Sequence, residues 1–116
     1  MATWAEAEQE ALTLPGAVLG EAHEGSPAVW VHTKQFARLR WDGDREVLQV
    51  WVRDRALVAA YVEEDRATYR SIPGYSPLVV LCTLDRLEAA IVRELLVESW
   101  ADRAPKRLVT AHADLR

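Results

Sequence analysis

The stretch that decides the fold is residues 28–52, AVWVHTKQFARLRWDGDREVLQVWV. It predicts two consecutive β-hairpins, with strands near 28–32, 35–41 and 46–52, because β-branched and aromatic residues recur between short polar breaks. Asp42-Gly43 is a strong short-range signal for the second hairpin turn. A turn of two or four residues there gives the same alternation of side chains. We therefore predict an antiparallel sheet whose two faces differ in chemistry.

One predicted face is apolar and the other is cationic and aromatic. The apolar face carries Ala37, Leu39, Leu48, Val50 and Val52. The opposite face carries Lys34, Phe36, Arg38, Arg40, Arg45, Val47, Gln49 and Trp51. Guanidinium groups match phosphate oxygens and aromatic rings can stack on bases, so this face is a candidate nucleic-acid surface. Its candidate binding residues are Lys34, Phe36, Arg38, Arg40, Arg45 and Trp51.

The same residues have a structural interpretation. Arg and Gln commonly cover the wet face of an antiparallel sheet, and a ring such as Trp51 can lie flat beneath an arginine stem. The sequence does not decide which face of the sheet Trp30 occupies. A two-residue turn at His32-Thr33 and a three-residue turn through Lys34 place its side chain on opposite faces.

The rest of the chain supplies helices and further strands. Helical spacing predicts helices near 4–14, 55–64 and 86–103. Strands are expected near 18–24, 68–72 and 78–83. The resulting order, α-β-β-β-β-α-β-β-α, predicts an α+β fold with an antiparallel sheet and helices packed on one face. We expect a single domain over residues 1–109 and a frayed tail over 110–116.

Length and charge limit the function. A chain of 116 residues fits one domain. Residues 1–32 hold five acidic residues and no Lys or Arg, whereas residues 28–53 hold five cations against three carboxylates. The overall pI of about 5.3 is far below the value above about 9 that is typical of dedicated nucleic-acid domains. Any DNA binding is therefore expected to be weak and sensitive to salt.

Little in the sequence points to catalysis, a metal or a cofactor. The spacing of His23, His32 and His112 matches no zinc motif, and Cys82 is the single cysteine, in an apolar strand. We predict no enzyme, no metal and no cofactor. An acidic N-terminus without a basic segment, and no apolar run of about 18 residues, predict a cytoplasmic protein with no membrane contact.

Four separated motifs resemble the MmcQ/YjbR family. They are Leu14-Pro15-Gly16, Lys34-Gln35-Phe36-Ala37-Arg38-Leu39, Glu98-Ser99-Trp100 and Ala104-Pro105-Lys106. The resemblance covers about residues 3–109 and implies the CyaY-like, or double-wing, fold. It also implies a DNA-binding protein, with Lys34 and Phe36 matching the family's lysine-x-phenylalanine hairpin motif. The chain departs from the family at Gln49, where members often have lysine, at Trp100, often tyrosine, and at Leu78, often aromatic.

Two functions follow as hypotheses. The first is weak DNA binding through the face formed by residues 34–51. The alternative is a protein-interaction module without nucleic-acid activity, which uses the same face or the acidic N-terminal helix.

Overall fold

A computed structural model describes residues 1–115, and Arg116 lies outside the described residues. The strands are β1 (Ala17–Glu21), β2 (Pro27–Val31), β3 (Lys34–Asp42), β4 (Arg45–Trp51), β5 (Tyr69–Arg70) and β6 (Val79–Thr83). The helices are α1 (Trp4–Leu12), α2 (Arg55–Glu64), α3 (Ala89–Arg103) and α4 (Lys106–Ala111), with 3-10 turns at Leu84–Arg86 and Ala113–Leu115. The strands form one antiparallel sheet in the order β1-β2-β3-β4-β6-β5. The predicted α+β fold class is confirmed.

The hydrophobic core lies between one face of the sheet and helices α1 and α3. We call this the helix face; its strand residues include Val29, Val31, Ala37, Leu39, Leu48 and Val50. Trp100 of α3 and Leu48 of β4 are fully buried there. A capping box between Thr3 and Glu6 fixes the start of α1, since each side chain bonds the other's backbone N–H.

Several element boundaries differ from the prediction. The predicted helix over 86–103 begins at Ala89, because Leu87 is extended (φ −114°, ψ 142°) and buries its side chain. Strand β1 ends at Glu21 rather than near residue 24. Helix α4 was not predicted. The domain boundary at residue 109 stays a prediction; in the segment predicted as frayed, Leu115 packs against the core.

A β-bulge in β3 changes which residues share a face. Val29 lies opposite Ala37 and Trp30 lies opposite Gln35, so Phe36 is the additional residue of β3. Phe36 is fully buried in the helix-face core. The prediction that Phe36 shares a face with Arg38 is therefore wrong.

The bulge also changes the face on which the preceding residue Lys34 lies. Lys34 lies opposite Val31, a helix-face residue, so its predicted position beside Arg38 is wrong as well. The turn of the first hairpin has two residues, His32 and Thr33. Trp30 consequently lies on the face away from the helices.

Beyond the bulge the predicted alternation is confirmed. Arg38 pairs with Gln49, Arg40 with Val47, and Asp42 with Arg45. We call this side of the sheet the open face; it carries Ala28, Trp30, Arg38, Arg40, Val47 and Gln49. None of the helices within residues 1–115 has the length and apolar character that a bilayer crossing requires.

Candidate nucleic-acid interface

The open face contains a cleft of about 530 Å³. Its floor includes strand residues of β3, β4 and β6, and two loops, residues 22–26 and 71–78, contribute Glu24 and Ile72. Three arginines line it: Arg38, Arg40 and Arg70. We call it the arginine cleft. The helices within residues 1–115 pack on the opposite side of the sheet, and these two loops border the cleft.

Arg38 is the most deeply buried cation of the cleft. Its residue is 6% exposed, although Arg is among the residues that proteins bury least. One terminal nitrogen, Nη2, lies 3.2 Å from Oε1 of Glu24, whose side chain is 73% exposed. The Nε–H of Arg38 is buried and has no hydrogen-bond acceptor within residues 1–115.

Gln49 lies opposite Arg38 on β4 and is fully buried. Its Oε1 accepts a hydrogen bond from Nε of Arg40. Because a guanidinium can only donate, this contact identifies the amide oxygen and leaves Nε2 as the remaining group. That Nε2 also lacks a partner among the described residues. The Arg40 guanidinium also lies over Tyr75, with its Cζ 5.5 Å from the ring centre.

Arg70 completes the cleft from β5. Its Nη1 lies 3.4 Å from Oδ2 of Asp42, and its buried Nε has no partner within the described part of the chain. The register places Arg38, Gln49, Leu81 and Arg70 side by side on β3, β4, β6 and β5. The three unpaired donors therefore belong to a single row across the sheet.

Sequence reasoning missed Arg70. Its strand was predicted near 68–72, but β5 joins the sheet only through β6, and β6 pairs with β4 across a long sequence separation. A hydrophobic pattern does not encode that non-local pairing, so no local signal placed Arg70 beside Arg38.

Two predicted site residues on the open side are engaged elsewhere. Arg45 forms a bidentate pair with Asp85, with Nη2–Oδ1 and Nε–Oδ2 distances of 2.6 and 3.0 Å. These hydrogen bonds raise the pKa of Arg45 and lower that of Asp85. Trp51 is 7% exposed and lies beneath the Arg103 guanidinium, 4.5 Å from the ring centre. The structure thus brings only Arg38 and Arg40, of the six predicted residues, into the arginine cleft.

Three of the motifs that carry the family resemblance meet at the end of α3. The Ser99 hydroxyl accepts from the Trp51 N–H at 3.0 Å and donates to the Phe36 carbonyl at 2.5 Å. It thereby bridges β3 and β4 just past their last direct pair. Trp100 Nε1 donates to the Pro15 carbonyl at 2.8 Å, and Arg103 Nε donates to the Gln35 carbonyl at 2.8 Å. The motifs have a structural role here, because they hold the helix layer onto the bulged strand.

Comparisons with known proteins agree with this architecture. The crystal structure of Deinococcus radiodurans protein DR2400, with family-model domain DUF419, is similar to this chain with a TM-score of 0.75 and 18% sequence identity. The similarity covers 97% of this chain and 82% of that chain, and at this identity it shows a shared fold. No curated protein is similar enough to this chain to match it. The YjbR family model matches residues 12–102, which is most of the sequence, and the chain therefore belongs to the YjbR family.

Proposed function

We propose that this protein binds DNA weakly, with backbone phosphates held by the arginine cleft and no catalytic step. One observation carries the proposal: three buried N–H donors have no acceptor within residues 1–115, on Arg38 and Arg70, which line the cleft, and on Gln49, which lies next to Arg38 in the sheet. A buried donor left unsatisfied costs about 1–3 kcal/mol. A ligand that brings acceptor oxygens offsets this cost, and a phosphate diester offers such oxygens together with a negative charge.

The charges around the cleft support weak rather than tight binding. The carboxylates of Glu24 and Asp42 already contact terminal nitrogens of Arg38 and Arg70. A phosphate group must share or displace these carboxylates. With three arginines in contact, the logarithm of the binding constant should fall with the logarithm of salt concentration with a slope of about −2 to −3.

The titratable groups whose pKa values are raised most do not suggest a catalytic centre in the cleft. Burial raises the pKa of the Cys82 thiol, so it stays protonated and unreactive at neutral pH. Burial also raises the pKa of Tyr69 to about 12. Both residues belong to the helix-face core rather than to the arginine cleft. These two groups therefore supply no catalytic side chain to the arginine cleft.

Fluorescence anisotropy of a labelled oligonucleotide, at low and at physiological salt, tests the proposal. The variant Arg38→Gln/Arg70→Gln should weaken binding at low salt at least tenfold and reduce the magnitude of the salt slope by about 1.4–1.8. Arg93→Gln/Arg107→Gln is the matched control, because it removes the same charge while both residues lie outside the cleft. Equal losses in the two double variants, or no binding by the wild type at low salt, would overturn the proposal.

A second candidate function, protein interaction, is favoured by the free edge of the sheet. Strand β1 pairs only with β2, and its Val18 and Leu19 are 58% and 52% exposed. An exposed edge with apolar side chains is a template for strand addition by a partner. The same double variants separate the two functions, because substitutions in the arginine cleft leave the backbone of this edge unchanged.

A further inference from the structure

We infer that the arginine cleft takes a single strand of DNA rather than a duplex. This inference rests on the proposed function and specifies its ligand. It follows from how deep the donors lie, how they are arranged across the sheet, and which aromatic ring borders them.

The donors are recessed. Gln49 is fully buried and Arg38 is 6% exposed, and the loops over residues 22–26 and 71–78 contribute Glu24 and Ile72 to the cleft around them. A duplex is stiff over about 150 base pairs and presents its phosphates on the outside of a rod. Such a rod cannot bend into a cleft that two loops border. The backbone of a single strand bends freely and can enter the cleft.

The arrangement of the donors fits an extended backbone. Arg38, Gln49 and Arg70 lie in one row that crosses four strands. At a strand spacing of about 4.8 Å, the Cα atoms of Arg38 and Arg70 are about 14 Å apart. This row of Cα positions runs across the strands, with Gln49 next to Arg38 and Leu81 between Gln49 and Arg70. A nucleic-acid strand that runs in this direction would pass both arginines of the row.

An exposed ring lies next to this path. Tyr75 is 46% exposed, and the Arg40 guanidinium lies over its ring. Aromatic and guanidinium planes both stack on unpaired bases, and such stacking tolerates any sequence. In a duplex the bases are stacked on each other and cannot use this ring. The Arg40–Tyr75 pair is thus a platform that only an unpaired strand can use.

Anisotropy titrations of a labelled single strand and of the duplex of the same sequence, at low salt, test the inference. The single strand should bind at least tenfold more tightly. Tyr75→Leu should weaken single-strand binding about fivefold, the low end for loss of one stacked base, and leave duplex binding unchanged. Tyr75→Phe is the matched control, because it keeps the ring and should bind as the wild type does. Thermal unfolding of each variant confirms that the fold is intact.

The outcomes distinguish this inference from the proposed function. Duplex binding as tight as single-strand binding would overturn the inference and leave DNA binding standing. Equal weakening by Tyr75→Leu and Tyr75→Phe would overturn the stacking platform and with it the inference. Absence of binding to either ligand would overturn the inference together with the proposed function.

Discussion

The two faces of the sheet bury different kinds of side chain. Leu48 and Gln49 are neighbours on β4 and both are fully buried. Leu48 lies in an apolar cluster with Cys82 and Leu96, where burial stabilises the fold. Gln49 lies among arginines on the open face, and its amide nitrogen is buried without an acceptor.

This difference separates the face that holds the protein together from the face to which the proposed binding is assigned. The helix face satisfies its polar groups through bonds such as those of Ser99 and Trp100. The open face keeps three buried donors without a partner among the described residues, and a buried donor that stays unsatisfied in general costs about 1–3 kcal/mol. A native structure retains such a cost where another requirement outweighs stability, and a binding site is one such requirement.

The largest effect that tests this contrast is the loss of core packing. Leu48→Ala should lower the free energy of unfolding by about 2–5 kcal/mol, because it leaves a cavity in the helix-face core. Val18→Ala, on β1 and exposed to solvent, should change it by no more than about 0.5 kcal/mol. Urea denaturation of both variants measures the difference. Similar losses would mean that the two faces contribute alike to stability, against the contrast drawn above.

A smaller effect is expected at the bridge between β3 and β4. Ser99→Ala removes the hydroxyl that bonds Trp51 N–H and Phe36 C=O, and leaving these buried groups unpaired should cost about 1–3 kcal/mol. Ser71→Ala, at an exposed position, is the control. Amide hydrogen exchange should also become faster at Trp51. Unchanged protection of that amide would show that Ser99 does not close the sheet at this point.

The smallest effect is expected at the rim of the arginine cleft. Glu24→Gln removes the carboxylate that contacts Arg38. If the proposed function holds, this carboxylate competes with a phosphate, and its loss should tighten oligonucleotide binding by up to about fivefold, the range of an exposed ion pair. The unfolding free energy should hardly change, since Glu24 is mostly exposed. Anisotropy titration measures the change in affinity. Glu21→Gln is the control, and an equal gain there would indicate a general charge effect instead of competition at Arg38.

Much of the fold could be predicted because its signals are local. The capping box at Thr3 and Glu6 and the turn after Asp42 involve residues a few positions apart. Helix α2 was predicted over residues 55–64 and occupies Arg55–Glu64, because Asp54 caps it and its apolar spacing is helical. The candidate site was predicted less well. Two of its six residues, Arg38 and Arg40, reach the arginine cleft, and Arg70 was missed.

The sequence by itself determined that Arg38 and Gln49 share a face, because alternation in a short hairpin follows from the period of two and from the turn. The structure shows in addition that the two residues pair directly. Only the tertiary structure decided the face of Phe36 and Lys34. The bulge that moves them is held by Ser99, 63 residues from Phe36, through a bond that no local pattern encodes. Arg70 likewise joins the cleft through the pairing of β4 with β6 and of β6 with β5. The alternation of side chains is set by residues adjacent in sequence. The position of a bulge and the order of strands depend on long-range contacts that exist only in the folded core.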